Sequence, residues 1–324
     1  MKSFTAPSFT ISARMLELVA SVSEKSGAIN ALFLNKIPLH IQTENRFESI
    51  VSGLLLDGNN LNSKQIHDIL IDSVPDWNNK ENREILNLLT VYKKIGQWHP
   101  YSFTSFCAAH RTLMDGLSES AGHLRTQNVG IRLYRKKIKT APDPKHLESL
   151  LENLFSYVKT SRDLLLVRSC VFFYEISFIH PFEHGNGRLA RIWLKILLNE
   201  YNPAFGSLAI ESLMLSQKQQ MHDVLSRCIR SGKSTLFIEF MLGLIDEALA
   251  ILLQEKPPVI SAEDRMDAFR QSFVQDMFTR KEYLQFFKNI STATASRDLQ
   301  TATDQGIIHK TGDKNQTVYR FRTK

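Results

Sequence analysis

The stretch from Leu164 to Leu198 constrains the fold of this chain more than any other. A strongly apolar run, Leu164 to Ile179, stops at His180-Pro181. A Gly185-Asn186-Gly187 turn then leads into a second helical run that closes at Leu198. Such a segment folds as helix, turn, helix, with a histidine ending the first helix and glycines opening the second. Arg188 and Arg191 lie three residues apart and so share a helix face. The first N–H groups of a helix are unpaired and carry the positive end of its dipole, so a glycine-rich turn at that point forms an anion site. Guanidinium groups suit phosphate geometry, and a histidine beside a phosphate cradle is a candidate general base. Each feature alone has a plainer reading: an ordinary turn, a solvated basic face, and a histidine that favours the negative end of a helix. Gathered within His180 to Arg191, they point to phosphate chemistry.

The remaining pattern is overwhelmingly helical. Apolar residues recur at helical spacing over 14–23, 46–56, 63–70, 84–97, 104–117, 146–157, 162–179, 187–198, 216–230 and 235–253. Ser63 is placed to cap its helix, and Asp57-Gly58-Asn59 is a stop signal. One segment departs from this pattern. Arg125 to Lys139 alternates through Val129, Ile131 and Leu133, with Gly130, Arg132 and Tyr134 between, and Pro142 and Pro144 close it. A lone hairpin cannot build a sheet core, so it is expected to lie across another surface. Lys256-Pro257-Pro258 marks a linker. Beyond it, helices over 279–287 and from Ser291, a Gly306 C-cap, and alternation over 317–321 give the order of a winged helix. The expectation is a mainly α chain with domains at 1–255 and 256–324.

A chain of 324 residues with 43% hydrophobic and 23% charged composition is an ordinary globular protein. No apolar stretch is long and uncharged enough to span a bilayer, and Met1 to Ser8 lacks a signal-peptide pattern. Cys107, Cys170 and Cys228 are odd in number and widely spaced. They read as reduced core thiols in a cytoplasmic protein, with no role for a membrane. The net charge is +7, and the residues from Arg265 onward carry eleven Lys or Arg against six Asp or Glu. That excess fits either an anionic partner or a basic solvated tail.

With these residues in view, the chain resembles the Fic family of protein adenylyltransferases, whose signature is H-P-F-x-(D/E)-G-N-G-R-x-x-R. Residues 180–191 match every defining position except His184. Gly122 to Val129 looks like the segment leading into the family's target-docking flap, the hairpin at 129–139 would be that flap, and residues 256–324 resemble the winged helix of many bacterial members. The resemblance implies transfer of AMP from ATP to a Ser, Thr or Tyr hydroxyl of a protein. His180 would take the hydroxyl proton. Gly185, Asn186 and Gly187 would hold the α- and β-phosphates, and Arg188 and Arg191 the β- and γ-phosphates. Phe182 would be a core anchor. The flap would align the protein target by strand addition.

Two positions depart from the family. An Asp or Glu that binds Mg²⁺ normally stands where this chain has His184. Imidazole is a poor ligand for a hard cation. His184 therefore leaves three outcomes open: ligation of a softer ion such as Mn²⁺ or Zn²⁺, direct contact with phosphate, or nucleotide binding with weak transfer. The last would make the protein a nucleotide-sensing, DNA-binding regulator. Second, many members carry an inhibitory helix, (S/T)-x-x-x-E-G-N, whose glutamate pairs with the second signature arginine. Gly53 to Asn59 falls in the corresponding place, with Gly53 for the hydroxyl residue and Asp57 for the glutamate. Aspartate is a methylene shorter, which leads us to expect weakened autoinhibition if Asp57 has that role. The alternative is a simple helix end. On the winged helix, Thr292, Thr294, Ser296, Arg297 and Gln300 would face DNA; such modules also dock proteins or form homodimers.

Overall fold

The computed structural model describes residues 8–33, 37–72, 79–133, 136–255, 261–273, 277–287, 290–312 and 317–322. The Lys256-Pro257-Pro258 linker lies outside the described residues. So do Tyr134, Asp313-Lys314-Asn315 and the N-terminal residues through Pro7. Two compact units are distinguished, one of residues 1–29 and 37–254, the other of 30–36 and 255–324.

The first unit holds α1 (Ala13–Leu32) up to residue 29, α2 (Leu39–Leu56), α3 (Ser63–Asp72), α4 (Lys80–Lys94) and α5 (Phe103–Leu113). A hairpin follows, β1 (Gly130–Leu133) and β2 (Lys136–Thr140). Then come α6 (Leu147–Thr160), α7 (Leu165–Ile179), α8 (Asn186–Tyr201), α9 (Ile210–Ser216), α10 (Lys218–Ser231) and α11 (Thr235–Leu252). Helix α7 has no polar face: Val171 to Ile176 are all buried, as expected of a helix enclosed by its neighbours. It packs along α8, whose residues from Arg188 to Leu198 are buried without interruption. Phe106, Phe155, Phe172 and Trp193 meet between α5, α6, α7 and α8 at ring separations of 5.1 to 6.4 Å, within the range of favourable aromatic contact. Phe106 also meets Phe182 at 5.7 Å, which ties this cluster to the His180–Arg191 segment.

Several expected elements are bounded differently. The run over 216–230 is divided between α9 and α10 at Gln217. The helix expected over 104–117 stops at Leu113, and Met114 to Ala121 continue as turns. Pairing in the hairpin begins only at Gly130, opposite Thr140, with a bulge between Ile131 and Arg132. The loop before it, from Gly122, is held by side-chain bonds and by the Arg125 N–H to Pro181 O bond rather than by a ladder.

The second unit contains α12 (Ala262–Ser272), β3 (Met277–Phe278), α13 (Arg280–Phe286), α14 (Thr292–Asp304), β4 (Ile308–Thr311) and β5 (Val318–Phe321). Its strands form an antiparallel sheet in the order β3-β5-β4, and the β4–β5 hairpin follows α14. Helix α12 was not anticipated, although Ser261 and Asp264 form a capping box at its start. Met266, Phe269, Phe278, Tyr283, Leu299 and Ile308 make this unit's core. The buried carboxylate of Asp298 is satisfied by Arg265 at 2.6 Å and Tyr283 at 3.2 Å.

Candidate active site

The turn between α7 and α8 is built by backbone constraint. His180 ends α7 in the left-handed region, with φ 51° and ψ 59°, and donates its N–H to Ile176 O at 3.0 Å. Among the described residues it is the only non-glycine with positive φ, a conformation that costs about 1–2 kcal/mol and persists only where the surroundings impose it. Gly185 caps α8 at φ 76°. The dihedral favours glycine, and a Cβ there would lie 2.7 Å from Met114 Sδ, so the Met114 side chain would also have to shift. Between them Phe182 is fully buried and stacks on the His110 ring, centroids 3.7 Å apart.

Asn186 is buried as well. Its Oδ1 accepts from the Phe182 N–H at 2.9 Å and its Nδ2 donates to Phe182 O at 2.8 Å. The Asn186 side chain thus holds the loop, and the residue also lines the cleft. The N–H groups of Asn186, Gly187 and Arg188 belong to the first turn of α8, where helix geometry supplies no acceptor. A cleft of about 470 Å³ opens above them, lined by His180, His184, Gly185, Gly187 and Arg188 together with Asp57, Lys80 and Glu84.

Burial pushes the His180 imidazole down to about 4, reinforced by the Arg125 guanidinium and opposed by a hydrogen bond with the Ser177 backbone. His180 is therefore neutral at physiological pH and keeps a lone pair able to accept a proton. His184 is exposed, and the adjacent Glu183 carboxylate accepts from the Ser120 hydroxyl at 2.9 Å. No group of three or more His, Cys, Asp or Glu converges to hold a metal ion among the described residues. The donor set at His184 does not fit Mg²⁺, which requires oxygen ligands.

Arg188 and Arg191 are buried side by side, and Asp57 bridges them. Its Oδ2 accepts from Arg188 Nε at 2.5 Å and its Oδ1 from Arg191 Nη2 at 2.7 Å. The α2 terminus is a helix end whose Asp57 side chain pairs with both arginines. Gly58 adopts φ 83°, its N–H reaching Leu55 O and that of Asn59 reaching Leu54 O. That is a Schellman stop, and it is what sets Asp57 opposite the arginines. The shorter side chain does span the gap. Gly53, in the place of a hydroxyl residue, contributes its carbonyl to Arg191 Nη2 at 3.2 Å. Burial works to raise the Asp57 pKa and is the largest single influence, but Arg191 and Arg188 together outweigh it and hold the carboxyl below its usual value. Burial likewise works against the charge of Arg188; Asp57 and Glu84 overcome it and raise that pKa.

Several contributors were not anticipated from the sequence. Glu84 on α4 approaches Arg188 Nη2 at 3.5 Å and is oriented by Asn59 Nδ2 at 2.9 Å. His110 on α5 accepts the Gly122 N–H at Nδ1, 2.9 Å, so its Nε2 carries the proton and donates to His184 O at 3.0 Å. Burial lowers the His110 pKa to about 4, which keeps this tautomer neutral. Arg125 is buried beneath the turn. Nothing in their local spacing marks these residues, because each meets the turn from a separate element.

Residues 100–198 match the sequence model of the Fic/DOC family. The chain carries a Fic/DOC domain. Over 99% of its length and 99% of the other chain's, it is similar to the crystal structure of a Fic family protein from Desulfovibrio desulfuricans G20, at 25% identity and a TM-score of 0.74. It also shares a fold with a Fic domain containing signaling protein from Bacteroides thetaiotaomicron VPI-5482. That match covers 75% of this chain and 97% of the other, at 17% identity and a TM-score of 0.57. Residues 134–508 of Fic-1 from C. elegans match 74% of this chain over 74% of theirs, at 17% identity and a TM-score of 0.54. Fic domains commonly transfer nucleotides or other phosphate-containing groups to proteins. The three cysteines are free thiols, and no helix among the described residues is long and apolar enough to cross a membrane.

Proposed function

We propose that this chain is a protein adenylyltransferase that moves AMP from ATP to a Ser, Thr or Tyr hydroxyl of a protein. The carrying observation is that a neutral His180 and the open first turn of α8 line one cleft with Arg188. In this reading the N–H groups of Gly187 and its neighbours receive the α- and β-phosphates. His180 accepts the hydroxyl proton as the oxygen attacks the α-phosphorus. The bond to the β-phosphate oxygen breaks, and pyrophosphate leaves against Arg188 and Arg191, freed from Asp57. The mechanism runs without a metal held by His184. The β1–β2 hairpin offers strand edges to the target. Asp57 blocks the arginines in the resting state, the role of an inhibitory carboxylate.

Incubation with ATP labelled at the α-phosphate, in Mg²⁺ or Mn²⁺, tests this proposal. We expect label on the chain itself or on an added protein, and none with His180→Ala. Label that persists without His180 removes it as the base.

A second reading, a nucleotide-sensing regulator with impaired transfer, is favoured by the missing carboxylate at His184. In the second unit, Arg297 and Gln300 on α14 and His309 and Lys310 on β4 are exposed where a winged helix meets DNA. ATP binding without label in either metal, together with a salt-dependent gel shift of the full chain on DNA, would select that reading.

A further inference from the structure

The Arg125 side chain donates its hydrogen bonds to carbonyl oxygens, with the Asp143 carboxylate near enough to favour its charge. Nε donates to His180 O at 2.7 Å, Nη1 to Gln127 O at 2.8 Å, and Nη2 to Pro142 O at 2.6 Å and Ile179 O at 3.3 Å. Its own N–H donates to Pro181 O at 3.0 Å. Arg125 is almost completely buried, at 2% exposure. Gln127 and Pro142 are the two stems of the hairpin, which close just above on the Ala141 N–H to Val129 O bond at 3.0 Å. Ile179, His180 and Pro181 are the end of α7 and the turn that presents the imidazole. One planar fork thus bonds both stems of the flap and the backbone of the candidate base.

A buried cation whose hydrogen bonds go to carbonyls is costly unless every donor is used in fixed geometry. A lysine in its place would keep the charge but not the simultaneous reach. The left-handed His180 also needs an external hold on its carbonyl, and Arg125 Nε supplies it.

We infer that Arg125 is a positioning residue that locks the flap and His180 into one body, so that a target strand added to the hairpin has its hydroxyl set at a fixed distance from the imidazole. The consequence for transfer rests on the proposed AMP-transfer reading; the lock itself does not, and amide exchange tests it without any activity.

In the unaltered chain, the amides of Arg125, His180 and Ala141 are expected to exchange through one shared opening. Their protection should agree within about threefold, with the same denaturant dependence. Ala141 exchanging more than about tenfold faster than the other two would show a flap hinged independently of the base, and would overturn the inference. With Arg125→Lys, segments 127–142 and 176–184 should both exchange at least about tenfold faster, the equivalent of one lost charge-assisted hydrogen bond, while helix α11 is unchanged. Acceleration in only one segment, in neither, or throughout the chain would also overturn it. If the lysine variant does not fold, the unaltered chain decides. For transfer, Arg125→Lys should lower kcat for self-labelling about tenfold or more and leave the KM for ATP within about threefold. A chain that never labels refutes the AMP-transfer reading and leaves the exchange result standing.

Discussion

Replacing Asp57 by alanine should make the protein less stable and a better nucleotide binder at once. The carboxylate sits 2.5 Å from Arg188 and 2.7 Å from Arg191, with both arginine side chains only 7% exposed. A triphosphate entering the cleft has to break both contacts before it can use the guanidiniums. Hydrogen bonds to charged groups contribute about 1.5–3 kcal/mol each, so the pair opposes binding by roughly 3 kcal/mol or more. Part of that is recovered in the variant, because Glu84, now 3.5 Å from Arg188, can draw closer and Arg191 keeps Gly53 O at 3.2 Å. We therefore expect Asp57→Ala to bind ATP about 10- to 100-fold more tightly by titration calorimetry, equivalent to roughly 1.4–2.7 kcal/mol. Without ligand it should lose about 3 kcal/mol by urea denaturation, since removal of one partner leaves buried charge unpaired. ATP at about 100 times its Kd should return some 2.7 kcal/mol by linkage. A folded Asp57→Ala protein that binds ATP within about twofold of the unaltered chain would refute the reasoning. Either the arginines do not meet the phosphates, or Asp57 does not stand in their way.

Further outcomes follow from the same geometry. His110 is neutral when folded, with a pKa near 4 against an ordinary 6.5. The unfolded chain therefore takes up the proton first as pH falls. Stability is full above about pH 6.5 and declines toward pH 4, by up to ~3 kcal/mol from this residue. Denaturation midpoints across that range check it, and His110→Gln should flatten the profile. Phe182→Ala removes a fully buried ring stacked on His110 and should cost about 3–5 kcal/mol in urea unfolding. His184→Asp places an oxygen ligand in the cleft beside the open turn of α8, where it could hold Mg²⁺. ATP affinity should then rise with added Mg²⁺ by about tenfold more than in the unaltered chain; an equal metal response in both proteins argues against that placement.

The helical architecture was largely legible because periodicity and stop signals act locally. The α7 run, the Asp57-Gly58-Asn59 stop and the Gly185-Asn186-Gly187 turn all lie within a few residues of what they determine. The site was legible only where its residues are contiguous. His180, Gly185, Arg188 and Arg191 stand within one segment. Glu84 and His110 reach it from α4 and α5, placed by the packing of those helices, and Arg125 reaches it from the loop before the hairpin through its own bonds to the turn. Asn186 shows a different limit: residue type alone does not reveal that its amide matches the donor and acceptor of Phe182. The span from Asp57 to Arg191 depended on how closely α2 approaches α8, which side-chain length alone does not give. Helix α12 was missed for a simpler reason: its capping box was present at Ser261 and Asp264, but its apolar residues are few.

The most direct test of AMP transfer by His180 is intact-mass spectrometry after incubation with ATP, comparing Asp57→Ala with Asp57→Ala/His180→Ala. The account predicts an added adenylyl group on the first, none on the second, and equal ATP affinity for both. Equal adduct on both proteins, or none on either despite tight ATP binding, would contradict it.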